Sequence, residues 1–150
     1  MANTYTNLLY HIVYSTKHRE PLITPALREN LYSYIGGIIR GESGTLLQIG
    51  GMPDHLHLVT RFKSEPSVAQ MVKTFKAKSS KWVNEQPNRP GRFSWQTGYG
   101  AFTVSPSQLE KVIRYVRCQE EHHRIVSFKE ELVLLLDRHG IEYDEQYLWD

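Results

Sequence analysis

The apolar positions of this chain change period several times, and each change marks an element. Residues 5–14 (YTNLLYHIVY) are aromatic and β-branched, a composition that suits a first strand. A polar turn follows at 17–21. Thr24-Pro25 then supplies an N-cap with proline at the first helical position. Leu27, Leu31, Tyr34, Ile35, Ile38 and Ile39 recur at helical spacing, and the glycines of 41–44 end that helix. Residues 45–49 predict a second strand, Gly50-Gly51-Met52-Pro53 a loop, and 54–62 a third strand. Glu65-Pro66-Ser67 opens a second helix, with Val68, Met71, Val72, Phe75, Trp82 and Val83 as its apolar stripe. The NRPG run at 88–91 breaks the pattern, and 93–105 predicts a fourth strand kinked at Gly98 and Gly100. Pro106-Ser107 begins a third helix reaching His123. Ser127 caps a fourth over 128–138, which His139-Gly140 stops, and a short aromatic tail follows.

The order β-α-β-β-α-β-α-α predicts an α+β fold, a ferredoxin-like (RRM-like) sandwich in one domain, residues 1–150. Its helices are expected mainly on one face of a central antiparallel sheet, with the first and third strands in the middle. A hydrophobic content of 40% and a charged content of 23% are ordinary for a globular chain, and 150 residues suffice for one core. No apolar run approaches the ~20 residues that cross a bilayer. The N-terminus carries no signal-type stretch, so a cytoplasmic protein without a membrane partner is expected. The single cysteine, Cys118, excludes an internal disulfide and a four-cysteine zinc site.

The net charge of +2 hides an uneven distribution. Residues 63–92 carry seven Lys/Arg against Glu65 and Glu85, whereas 127–150 carry seven acids against Lys129 and Arg138. The basic segment suits a polyanion, but charge alone favours a solvated helix face balanced by the acidic tail.

The candidate chemistry begins at His55-Leu56-His57. Strand side chains alternate, so both imidazoles share one face while Leu56 and Leu58 share the other. Two unpaired imidazoles against a core are costly, so a polar cleft or a metal explains them better. Tyr115 and Gln119 stand four apart on the third helix and share a face. By themselves, without the histidines, they read as a surface pair. Arg114, Arg117 and Arg124 are candidate phosphate contacts, and His122-His123 read as ligands, DNA contacts or helix C-terminal residues.

Pro53-Asp54-His55-Leu56-His57 resembles the HUH motif, two histidines about a bulky apolar residue. Tyr115-Val116-Arg117-Cys118-Gln119, followed by His122-His123, resembles the tyrosine helix of the single-tyrosine HUH transposases. These are the TnpA-type, IS200-like enzymes of small bacterial and archaeal insertion sequences and their repeat-associated relatives. Further likenesses occur in the family order: residues 10–17, Phe75-Lys76 with Ser79-Ser80, residues 95–99, 140–144 and Tyr147-Leu148-Trp149. Leu56 stands where Val or Ile is frequent, a harmless exchange. The lone tyrosine of this helix fits the two-tyrosine enzymes poorly.

The resemblance implies a catalytic Tyr115 and a divalent metal, Mg²⁺ or Mn²⁺, on His55, His57 and Gln119. It implies transposition of single-stranded DNA through a 5′-phosphotyrosine, DNA hairpins near the element ends, and a homodimer. Proximity to the metal and to basic residues is expected to favour the phenolate. Lys73, Lys76, Lys78 and Lys81 are the candidate DNA-backbone contacts, and Trp82 and Trp95 are either base-stacking or core residues. Two other classes remain: a non-catalytic nucleic-acid-binding module of the same fold, and a metal-dependent nuclease that uses water.

Overall fold

A computed structural model describes residues 3–87, 89, 91–123 and 126–148. Its elements are β1 (Leu8–Ser15), α1 (Pro25–Gly41), β2 (Thr45–Met52), β3 (His55–Phe62), α2 (Val68–Asn84), β4 (Gly100–Thr103), α3 (Leu109–Arg117), α4 (Gln119–His122), α5 (Phe128–Arg138) and α6 (Glu145–Leu148). The strands form one antiparallel sheet in the order β2-β3-β1-β4, which puts β1 and β3 at the centre as the strand pattern predicts. The capping residues act as expected. Thr24, Ser67 and Ser127 each accept a hydrogen bond from the backbone N–H three residues on, satisfying a donor the helix leaves free.

The pleat of the two central strands divides the molecule. Ile12 and Tyr14 of β1 and Leu56, Leu58 and Phe62 of β3 point to one side. There they meet Leu31, Ile35 and Ile39 of α1 and Met71, Val72, Phe75 and Val83 of α2. Each such side chain contributes about 1.5–3 kcal/mol of burial. The two long helices therefore share one face. The opposite face is closed by the C-terminal helices: Val13 and Phe102 pack against Phe128, Leu132, Leu135 and Leu136 of α5.

Three expectations are corrected. Gly50-Gly51-Met52 is not a loop but the end of β2, and only Pro53-Asp54 turns the chain. The glycines are there for closeness. A β-carbon on Gly50 would lie 2.1 Å from the Val116 carbonyl oxygen of α3, and one on Gly51 2.2 Å from the His55 carbonyl oxygen. The fourth strand shrinks from 93–105 to Gly100–Thr103. The aromatic residues before it plug the core instead: Phe93 and Trp95 are buried, Trp95 bridges Thr16, and its Nε1 donates to Ser79 Oγ at 3.0 Å. The third helix does not run unbroken to His123. It kinks at Cys118 (φ −98°, ψ 32°), which separates α3 from α4.

Arg124, Trp149 and residues 88 and 90 of the predicted break lie outside the described residues. Among the described residues no helix is long and apolar enough to cross a membrane.

Because α3 rests directly on the backbone of Gly50, the variant Gly50→Ala should be destabilised by about 1–3 kcal/mol, the cost of overpacking a fitted contact. Urea unfolding of the variant and parent should show the loss. Gly91→Ala, where an added β-carbon meets nothing within 4 Å, should leave the midpoint within experimental error of the parent.

Candidate active site

The second face of β3 carries both imidazoles into the space beneath α3–α5, and both are fully buried. His57 stands across from Val13 on β1 and Gly50 on β2. His55 stacks on Phe128 of α5 at 4.3 Å between ring centres. Its Nδ1 lies 2.7 Å from Asp54 Oδ1. A carboxylate only accepts, so Nδ1 carries a hydrogen and Nε2 faces inward. His123 repeats the arrangement, with Nδ1 donating to the Val126 carbonyl at 2.6 Å and Nε2 turned inward.

What meets these two nitrogens is oxygen. Gln119 Oε1 lies 3.3 Å from His55 Nε2 and 2.9 Å from His123 Nε2. The Gln119 amide is held in that sense because its Nε2 donates to the Tyr115 carbonyl one turn earlier, at 3.2 Å. Glu131 of α5 reaches the same point: its Oε1 lies 2.7 Å from His57 Nε2, 3.2 Å from His123 Nε2 and 3.6 Å from His55 Nε2. His57 and His123 hydrogen-bond to Glu131 Oε1, and His123 also to Gln119 Oε1. A cation would take the place of those protons, and imidazole nitrogen with amide and carboxylate oxygen is a donor set that fits a divalent metal.

Tyr115 arrives from α3 on this side of the sheet. Its hydroxyl donates to Glu131 Oε2 in a short hydrogen bond and lies 3.1 Å from His122 Nε2. Its ring centre is 5.7 Å from that of His57. The phenol also borders a groove of about 650 Å³ lined by His11, Gln108, Lys111, Arg138 and His139.

Burial sets the protonation states. It pulls His57 down to about 4 despite the neighbouring carboxylate, so this ring is neutral. His11, under His57 with 2.8 Å between its Nε2 and His57 Nδ1, falls to about 3 through burial and that neighbour. Burial pushes the Glu131 carboxyl up, but hydrogen bonds from His123, His57 and Tyr115 outweigh it and hold the group well below the carboxylate range. Burial lowers His123, and the Glu131 carboxylate outweighs that to raise it. Burial and then Glu131 push the Tyr115 phenol well above its ordinary range. The expected basic surroundings of the phenol are thus corrected: its closest charged partner is an acid.

His55, His57, Tyr115 and Gln119 come together within one chain, joined by His122 and His123. The lysines stand apart, on the layer of the sheet that faces away from the imidazoles. Lys73, Lys78 and Lys81 are exposed on α2. Lys76 is pinned instead: its Nζ donates to the carbonyls of Gln96 (2.7 Å) and Gly98 (2.9 Å), and burial lowers it to about 8. Trp95 is a core residue and Trp82 stacks on Tyr34 between α1 and α2, so neither ring is free for a base.

Two site residues escaped the sequence reading. Glu131 occupies the apolar stripe of α5 formed by Phe128, Leu132, Leu135 and Leu136, and a carboxylate at such a position is a legible signal. His11 shares the β1 face of Val13 and so meets His57 once β1 and β3 are neighbours.

The family model "Transposase IS200 like" matches residues 4–119. The chain therefore belongs to the IS200-like transposase family. It is 21% identical over 119 residues to the ISDra2 transposase TnpA of Deinococcus radiodurans, covering 76% of this chain and 85% of that one. It is 25% identical over 130 residues to the transposase for insertion sequence element IS200 of Salmonella typhimurium, covering 83% and 85%. The fold matches the crystal structure of a transposase candidate from Deinococcus radiodurans R1 at 22% identity and TM-score 0.61, over 79% of this chain and 95% of that one. It also matches a REP-associated tyrosine transposase bound to a REP hairpin at 12% identity and TM-score 0.62, over 84% and 74%. His122, His123 and Glu131 lie beyond the segment that the family model matches.

Asp54 fixes the tautomer that leaves His55 Nε2 free, so Asp54→Ala should weaken binding of a divalent cation by about 10–100-fold, the usual effect of removing such a partner. Calorimetric titration of the full chain with Mn²⁺ would measure it.

Proposed function

We propose that this chain is a transposase that cuts and rejoins single-stranded DNA, with Tyr115 as nucleophile beside a divalent cation, Mg²⁺ or Mn²⁺, held by His55, His57 and Gln119. The reading is carried by one observation: the phenol of α3 and the two imidazoles of β3 converge on a common buried carboxylate, with Gln119 Oε1 and His123 Nε2 turned to the same point. Family membership supplies the reaction class.

Tyr115 Oη bonds to the scissile phosphorus, and the bond from phosphorus to the 3′ oxygen breaks. The phenolic proton passes to Glu131 Oε2, its hydrogen-bond acceptor in the resting site. Glu131 hands that proton on to the 3′ oxygen, which leaves as a hydroxyl, while the 5′ phosphate remains esterified to Tyr115. A second 3′-hydroxyl reverses these steps and reseals a strand, so neither a nucleotide cofactor nor an activated water is required. When bound, the cation supplies charge neutralisation at the non-bridging phosphate oxygens. Positive charge is needed here for a further reason. Burial and Glu131 hold the phenol protonated, and charge at the imidazole cluster offsets the carboxylate and releases Oη for attack.

The DNA partner we infer is single-stranded with hairpins near its ends; the REP-associated relative was solved on a hairpin. Lys73, Lys78 and Lys81 present exposed charge to a phosphate backbone. Beside them, Lys73, Lys76, Arg92, Gln96 and Tyr99 line a groove of about 390 Å³. The groove leads toward the end of β1 where Ser15 pairs with His55, and Gln96 Oε1 accepts from Ser15 N–H at 2.6 Å. The Lys76 ammonium acts as a tether of that groove wall. A homodimer is the assembly we infer, although one chain already presents its phenol to its own imidazoles.

Tyr115→Phe decides between reaction classes. With Mg²⁺ or Mn²⁺ and single-stranded DNA from the flanks of its own gene, the parent should form a covalent adduct on the 5′ side of the cut, visible on a denaturing gel. The variant should form none and retain DNA binding by filter retention. Persisting cleavage in the variant would point to a water-using nuclease, and absence of cleavage in the parent to a binding module.

A further inference from the structure

We propose that the cation site of this chain has two donors beyond the histidine pair and Gln119, namely His123 Nε2 and Glu131 Oε1, and that it therefore selects a first-row transition-metal dication over Mg²⁺. The inference deepens the function proposed above and rests on that reading only for the presence of a cation.

Three imidazole nitrogens and one carboxylate oxygen converge here: His55, His57, His123 and Glu131 offer ligand atoms that all lie within 4.8 Å of one another. The contacts of Glu131 Oε1 with the three Nε2 atoms, 2.7, 3.2 and 3.6 Å, bracket the spacing of about 3 Å between neighbouring ligands bound at about 2.1 Å from one ion. Each ring is prepared for the task by its other nitrogen. His55 Nδ1 donates to Asp54 and His123 Nδ1 donates to the Val126 carbonyl, which turns both Nε2 atoms inward. His57 is the adjustable member. Facing Glu131 alone it donates from Nε2 and accepts at Nδ1 from His11. A change of tautomer in both rings frees its Nε2 without breaking the 2.8 Å bond between them. Such outward partners fix ring orientation and raise ligand basicity in metal sites generally.

The donor set decides the metal. Mg²⁺ seeks six oxygens and gives up water reluctantly, whereas imidazole suits the later first-row ions. A site with a third imidazole and a buried carboxylate, closed over by the apolar residues of α5, moves away from the Mg²⁺ pattern. The second carboxylate oxygen, Oε2, keeps its bond to Tyr115, so one side chain joins the cation to the nucleophile.

The test is metal binding by the full chain, read without DNA. Calorimetric titrations with Mg²⁺, Mn²⁺, Co²⁺ and Zn²⁺ should give affinities for Co²⁺ and Zn²⁺ that exceed that for Mg²⁺ by about tenfold or more, following the ligand preferences of these ions. Bound Co²⁺ should give visible absorption bands of a nitrogen-rich site. His123→Ala should lower Co²⁺ affinity by about tenfold or more and shift those bands. Glu131→Gln, which keeps side-chain shape, should do the same; thermal unfolding of each variant shows whether the fold is kept, and His123→Gln replaces any variant that unfolds. Mg²⁺ binding as tight as Co²⁺, or a folded His123 variant with unchanged Co²⁺ affinity and spectrum, would overturn the inference. An intact Tyr115–DNA adduct in that case would leave the proposed function standing. Conversely, strong Co²⁺ binding that His123→Ala weakens, in a chain that never forms the adduct, would support the site and sink only the reaction.

Discussion

The alternation of side chains along β3 is the constraint on which the rest of this molecule depends. Leu56 and Leu58 must enter the core against α1 and α2 for the sheet to hold, and that leaves His55 and His57 no choice of direction. A one-residue slip would put two imidazoles into the aliphatic layer and two leucines into the polar cluster beneath the C-terminal helices. Packing on one face therefore sets the geometry of chemistry on the other. β1 reinforces the register: Ser15 pairs with His55 and Val13 with His57, while Ile12 and Tyr14 join the core.

The opposite face poses a harder problem, because it buries a carboxylate, several imidazoles and a phenol. Such a cluster stabilises a fold only when every member has partners. Here each does: Asp54 and the Val126 carbonyl hold the outer nitrogens of His55 and His123, and His11 holds that of His57. Glu131 is the hub that the inward atoms share. It is delivered by α5, whose Phe128, Leu132, Leu135 and Leu136 anchor the helix to Val13 and Phe102. The apolar contacts supply the stability that lets one charged group sit where it is electrostatically exacting.

Much of this was legible in the residues. Period changes placed the caps at Thr24, Ser67 and Ser127, and the split β-α-β order placed β1 and β3 at the centre. The strand period put His55 and His57 together, and the helix period put Tyr115 beside Gln119. What failed did so for physical reasons. Gly50 and Gly51 read as a loop because glycine serves both turns and close approaches, and only the tertiary contact with Val116 distinguishes them. Phe93 and Trp95 read as strand because aromatic content cannot separate a pleated ladder from a core plug. Glu131 was passed over as one acid among the seven of the C-terminal segment, although its place on the α5 stripe marked it. His11 depended on strand neighbours that local sequence does not reveal.

The placement of Glu131 also bears on why a reactive phenol can sit half-buried at the rim of this cluster without harm. A phenol beside a buried carboxylate is held in its protonated, weakly nucleophilic form, so the resting site is inert. Positive charge gathered at the imidazoles acts on the same carboxylate from its other oxygen. The two ends of one side chain thus carry opposite influences, and which prevails depends on whether the cluster holds a cation. Neither β3 nor α3 contains that logic alone. It arises where a helix from the C-terminal part of the chain sets its single buried charge between them.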